Sequence, residues 1–208
     1  MLHYDVWQSA GGYDSLEESI IQIGKNKILV NEIIEVLEIL IDRIDFKENE
    51  IRLPYNQPLK VHSRYTRDQI LTAFKLSTFD RKSSSREGVA ENISLNTELL
   101  FINLIKSEED FSPTTMYDDY AISETLFHWQ SQNSSRPEIG RGLSYIKHIE
   151  NKKKILLFVR EKATDQFGNT IGYVFIGEAF FKENEGSKPM NIKWELNEPI
   201  PNYLWNES

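Results

Sequence analysis

With 208 residues, 39% of them apolar and 12% aromatic, the chain suits one globular domain with a helical prefix and is not disordered by composition. Apolar runs such as residues 28–30 and 39–41 fall far short of the ~20 residues of a membrane span. The lack of cysteine removes disulfides, a thiolate nucleophile and cysteine-based zinc sites. A net charge of −8 argues against a simple nucleic-acid binder, whose usual footprint is basic. With no signal peptide at the start, a cytoplasmic protein is the expectation.

In chain order, "SLEE" at Ser15 to Glu18 is a capping box, because a serine and a glutamate three apart can each satisfy an open backbone N–H. It predicts a short helix to Ile23, stopped by Gly24. From Lys27, apolar residues at Val30, Ile33, Ile34, Leu37, Leu40, Ile41 and Ile44 recur at three- and four-residue steps and predict an amphipathic helix of about 18 residues. Pro54 and Pro58 bracket a linker, so residues 1–54 read as an acidic helical prefix packed on a main domain of residues 55–208.

A second capping box, "TRDQ" at Thr66 to Gln69, predicts a helix over residues 67–74, followed by the polar loop "STFDRKSSSREG". Val89, Ile93 and Leu95 suggest a strand, and residues 99–105 predict a strong one. Residues 125–132 read as a strand, 138–147 as a short helix, and 155–159, 173–181 and 191–196 as three further strands. Gly168-Asn169 and Gly186-Ser187 are turn signals between them. The expected fold class is α+β: a curved, mainly antiparallel sheet or open β-barrel with flanking helices.

The charge is unevenly spread. Residues 1–58 carry eleven acids against five bases, whereas 60–86 carry seven bases against two acids and 136–162 eight against three. Between the two basic segments lies "SPTTMYDDYAISETLFHWQSQN", which holds four aromatics, two adjacent aspartates and no lysine or arginine. A carboxylate-and-aromatic segment flanked by basic ones suits a pocket on a phosphate-binding surface.

The candidate pocket residues are Tyr117, Asp118, Asp119, Tyr120, His128 and Trp129. Aromatic rings accept a nucleobase by stacking, and a carboxylate accepts from the exocyclic amine of cytosine. Thymine presents an oxygen at that place, so an aspartate separates 5-methylcytosine from thymine, which carries the same methyl group. The parts thus describe a pocket for a single flipped cytosine. Trp129 fits a core position as well as a stacking one, and His128 and Trp129 point to opposite faces of a regular strand, so both line one pocket only if the strand bulges. Arg64, Arg67, Arg81, Lys82, Arg86, Arg136 and Arg141 are the candidate DNA-backbone contacts or fillers of the stack that the flipped base vacates. The four histidines are dispersed without metal-ligand spacing, and no phosphate-binding glycine loop occurs. No catalytic or metal residue is assigned; Asp110, Asp118 and Asp119 as a nuclease metal site are a minor alternative.

The phrases "PLKVHSRYTRDQILTAF", "REGV", "KSEEDFSPTTMYDDYAISETLFHWQSQN", "KILLFVRE" and "EGSKPMNIKWELNEPIP" together resemble one uncharacterised-domain family. That family is found at the C-terminal end of bacterial superfamily 2 helicases and of ATP-dependent type IV restriction enzymes of the SauUSI kind. The resemblance covers about residues 55–201. It implies a target-recognition domain without catalysis of its own, in a parent chain whose helicase and nuclease domains use ATP and a divalent metal. Its partner is then double-stranded DNA with 5-methylcytosine, or also 5-hydroxymethylcytosine. A weaker likeness is to SET-and-RING-associated (SRA) domains, which flip 5-methylcytosine into a pocket on a curved sheet. By that likeness Asp118 or Asp119 takes the amine, and Tyr117 or Tyr120 with Trp129 sandwiches the ring. A helicase accessory domain that docks on the motor and reads no modification is the alternative.

Overall fold

The computed structural model describes residues 1–42, 51–105 and 119–205. Along the chain run α1 (Leu2–Trp7), α2 (Leu16–Lys25), α3 (Lys27–Asp42), β1 (Arg64–Tyr65), α4 (Arg67–Ala73), β2 (Val89–Asn92), β3 (Thr97–Asn103), β4 (Tyr120–Ser123), β5 (Leu126–Gln130), α5 (Gly140–Ile146), β6 (Lys154–Arg160), β7 (Tyr173–Glu185), β8 (Asn191–Leu196) and α6 (Asn202–Trp205). The strands form one sheet in the order β2-β3-β6-β7-β8-β5-β4, with β1 beside β7. It is mixed but mainly antiparallel, as expected; β3 and β6 run parallel, in register from Thr97 against Lys154 to Asn103 against Arg160. The sheet stays open, with β2 and β4 ending the order.

β3 and β6 are buried on both faces, which is why they read as unbroken apolar runs. Their side chains alternate between two cores. Leu100, Ile102, Leu157 and Val159 face the first, with Trp129, Tyr145 and Trp194. Leu99, Phe101, Leu156 and Phe158 face the second, where α4 seats Ile70 and Leu71. β7 is long enough to serve two partners, pairing with β6 through Glu178 and with β8 from Ala179 onward. At the irregularity in its pairing with β6, Gly177 holds φ 104°, a conformation that favours glycine.

Both capped helices form. Ser15 Oγ accepts from the Glu18 N–H at 3.1 Å, but α2 runs through Gly24 to Lys25 instead of stopping there. The Thr66–Gln69 box is reciprocal, with bonds of 3.2 and 2.9 Å. α1 and the turn after it dock on the loop behind α4 through Tyr4 Oη to the Thr78 carbonyl (2.6 Å) and the Gly11 N–H to the Phe79 carbonyl (2.8 Å). α3 begins at Lys27 as expected, yet Ile34, Leu37, Leu40 and Ile41 on its apolar stripe stay exposed. Ile93, expected within a strand, is 84% exposed in the turn between β2 and β3. β4 is a further strand, lying between the two expected at residues 99–105 and 125–132.

A buried ionic group supports the first core from the start of β3. Glu98 is fully buried and pairs with Lys153, which also reaches Glu91 at 2.7 Å. Tyr145 of α5 donates to Glu98 Oε1 at 2.9 Å, and its ring meets Trp129 edge-on at 5.3 Å. Burial, and then the Glu98 charge, push the Tyr145 phenol well above its ordinary range. Nearby His148 is pulled below its ordinary value, chiefly by burial; it accepts from the Phe181 N–H at 2.9 Å.

Candidate nucleic-acid interface

At the carboxyl ends of the parallel pair β3 and β6 lies a cavity of about 470 Å³. Its walls come from distant parts of the chain: Phe101 and Asn103 of β3, Trp129 and Gln130 of β5, Arg160 of β6, Tyr173 of β7, and Asp119 immediately before β4. Arg67 of α4, Arg86, Glu87 and Gly88 of the loop behind it, Val89 of β2 and Gln132 complete the lining. Strands near the two opposite ends of the sheet order therefore face one hollow. A separate hollow of about 540 Å³ is lined by the single segment 51–60, away from the candidate residues.

The cavity walls are layered. The Arg67 guanidinium lies 3.8 Å from the Phe101 ring centroid, and the Arg160 guanidinium 4.3 Å from that of Tyr173. Phe101 and Tyr173 themselves meet edge-on at 5.2 Å. Each arginine is held in place by backbone or amide oxygens. Arg67 donates to the Ser85 carbonyl at 3.1 Å and the Glu87 carbonyl at 2.6 Å. Arg160 donates to Asn103 Oδ1 at 2.7 Å and the Ile171 carbonyl at 2.8 Å. Burial lowers the Arg67 pKa from its ordinary value, although a guanidinium stays charged in proteins. Fixed guanidinium planes over rings offer flat, cationic faces on which a base can stack.

Asp119 is only 8% exposed, and its Oδ1 accepts from the Gln130 N–H at 2.9 Å, which fixes the carboxylate against β5. Trp129 belongs to the first core and lines the cavity as well. β5 alternates regularly in burial, and His128 accordingly lies on the other face. There it stacks on its cross-strand partner Tyr120 at 4.7 Å, in a separate groove with Glu183 and Lys193. Of the six candidate pocket residues, the structure thus brings Asp119 and Trp129 together and sets Tyr120 and His128 apart from them. Tyr117 and Asp118 lie outside the described residues, as does Asp110.

The basic candidates also divide. Arg67 and Arg86 line the cavity, Arg86 as an exposed residue. Arg81 and Arg136 are exposed. Arg64 is clamped by both Glu161 oxygens at 3.0 and 2.7 Å, Lys82 pairs with Asp68 at 2.6 Å, and Arg141 approaches buried Glu98 at 3.4 Å. These last three are engaged by carboxylates of the protein itself. Sequence reasoning missed Phe101, Asn103, Arg160 and Tyr173. The one local signal was a polar residue closing each of the apolar runs "LLFIN" and "ILLFVR". Among the described residues no group of three acidic or histidine side chains is arranged to hold a metal ion, and no helix is long and apolar enough to cross a membrane.

Among solved structures, the chain is similar to Arabidopsis thaliana SUVH6 in complex with SAM, at 12% identity and a TM-score of 0.42 over 74% of this chain. It spans 30% of the length of that protein. It is also similar to the SUVH5 SRA domain in complex with hemi-methylated CG DNA, at 13% identity and a TM-score of 0.42, over 74% of this chain and 99% of that one. A third likeness is to the 5-hydroxymethylcytosine-specific restriction enzyme AbaSI, at 16% identity and a TM-score of 0.35, over 91% of this chain and 57% of that one. No curated protein matches the sequence. The model of one family, described as "Domain of unknown function (DUF3427)", matches residues 59–208, and the protein belongs to that family.

Proposed function

We propose that this domain binds duplex DNA carrying a modified cytosine, 5-methylcytosine or its hydroxymethyl form, and takes the flipped base into the cavity between Asp119, Trp129 and Arg67. One observation carries the reading: a nearly buried carboxylate, three aromatic rings and two fixed guanidinium planes converge on a hollow of about 470 Å³. That volume lies within the range of small-ligand sites. Asp119 accepts from the exocyclic amine beside its Gln130 bond, since a carboxylate has several acceptor sites. The ring stacks against Trp129 or a guanidinium plane. Thymine is refused because its carbonyl faces the carboxylate. The methyl group adds ~0.8 kcal/mol on burial, and fit around it separates modified from plain cytosine by ~1–3 kcal/mol.

In this reading the domain cuts nothing. The resemblance of its sequence to the tails of superfamily 2 helicases and SauUSI-type type IV restriction enzymes supports a role as target-recognition unit. Motor and nuclease domains of the parent chain then supply ATP hydrolysis, metal-dependent cleavage and most of the phosphate affinity that a domain of charge −8 lacks. A second reading, an accessory domain docking on the motor, is favoured by the exposed apolar residues of α3, among them Val36, Leu37 and Leu40.

Fluorescence anisotropy with matched duplexes separates the two. Tighter binding to a duplex with one 5-methylcytosine than to its unmodified twin, by roughly 5- to 100-fold, is expected from the fit around one methyl group. Equal affinity would leave the docking reading in possession.

A further inference from the structure

A base that leaves the helix leaves a gap behind, and the loop between β6 and β7 carries a side chain suited to fill it. Phe167 is 78% exposed, which is unusual for a phenylalanine of a folded domain. The loop springs from the cavity itself: Arg160, the last residue of β6, and Tyr173, the first of β7, both line it. The Arg160 guanidinium also binds the carbonyls of Ala163 (3.4 Å) and Ile171 (2.8 Å), one on each side of the loop root. Those two residues are themselves joined by a backbone bond of 3.0 Å, and Thr164 bridges Thr170 beyond them.

The tip is equally fixed. Asp165 accepts from the Phe167 N–H at 2.8 Å and from the Asn169 N–H at 2.9 Å, and its other oxygen takes the Asn169 side-chain amide at 3.0 Å. Gly168 turns the chain at φ 84°. The ring is thus presented on a short, braced hairpin.

We infer that Phe167 is the wedge that enters the base stack and occupies the space vacated by the flipped cytosine. The inference rests on the modified-base reading proposed above. Apolar side chains inserted between base steps are a general device for holding a distorted duplex. Arg160 makes the two events one: the same guanidinium faces the extruded base and braces the hairpin that takes its place.

The test measures anisotropy for the wild-type chain, Phe167→Ala and Phe167→Trp with two probes. One is a fully paired duplex with a central 5-methylcytosine. The other carries the same base as a single-nucleotide bulge, whose flanking pairs close on each other and leave no gap. Phe167→Ala should weaken binding to the paired duplex roughly tenfold or more, the range of one lost stacking contact. It should change binding to the bulge by less than about threefold, and Phe167→Trp should restore the paired complex. Unchanged affinity of Phe167→Ala for the paired duplex, with the wild-type methyl preference intact, would overturn the wedge alone. An equal loss on both probes would also overturn it, marking Phe167 as an ordinary contact. If the wild type shows no methyl preference, the modified-base reading fails first, and the wedge falls with it.

Discussion

Asp119→Ala is expected to lower affinity for the methylated probe roughly 10- to 100-fold, down to that of the unmodified duplex, because a base no longer held in the cavity leaves only non-specific binding. Weak, salt-sensitive binding should remain. The magnitude follows from leaving the cytosine amine without an acceptor in a site closed to water, which costs about 1–3 kcal/mol. Asp119 is nearly buried, so water does not readily replace it. The alanine also frees the Gln130 N–H, and a local shift of β5 must be told apart from lost recognition. Asp119→Asn serves this purpose, because its amide oxygen still accepts from Gln130 while the charge is gone. That variant should keep the thermal midpoint of the wild type and show an intermediate methyl preference. Residual binding of the alanine variant should fall steeply with salt, as phosphate contacts do. Should Asp119→Ala still discriminate methylated from plain duplex as the wild type does, another group reads the base.

The second large effect concerns stability. Lys153→Met removes the ammonium from Glu98, whose carboxylate is fully buried at the start of β3. Stripping one partner from a buried pair leaves a desolvated charge, and the expected loss is about 3–5 kcal/mol in urea unfolding. The Lys153 contact with Glu91 adds little to this figure, because Glu91 is about one-third exposed and solvent screens it. Adding Glu98→Gln to Lys153→Met should recover most of the loss, since an amide tolerates the interior where a lone carboxylate does not. A single variant within about 1 kcal/mol of the wild type would mean that Arg141 and Tyr145 suffice to hold Glu98. The site should feel the change as well. Tyr145 touches both Glu98 and Trp129, so loosening this network relaxes a wall of the cavity.

Much of the fold could be read in the sequence because its signals are local. Ser15 and Thr66 cap helices within three residues of themselves, and the runs in β3, β6 and β8 show their strand character in their own residues. β1 and β4 were not legible. They are two and four residues long, and their strand state comes from pairing with β7 and β5. The alternation of β5 did foretell that His128 and Trp129 part company. It could not tell which face carries the cavity. That follows from the parallel register of β3 and β6, which sets Asn103 beside Arg160, and from β7 bringing Tyr173 next to Phe101. Charge counted along the chain also left pairing out of sight: the carboxylate partner of Arg64, Glu161, stands 97 residues away. Arg67 and Arg86, expected on the DNA backbone, line the cavity instead of standing apart from it, and Arg160 joins them from the end of an apolar strand.

The central claim is that a modified cytosine leaves its helix and sits among the rings of this cavity. Its most direct test is the NMR signal of a ¹³C-labelled methyl group on the 5-methylcytosine of a duplex. Binding should move that signal strongly by ring currents and give cross-peaks to Trp129, Phe101 or Tyr173. A methyl signal that keeps the position of a stacked, paired base in the saturated complex would contradict the account.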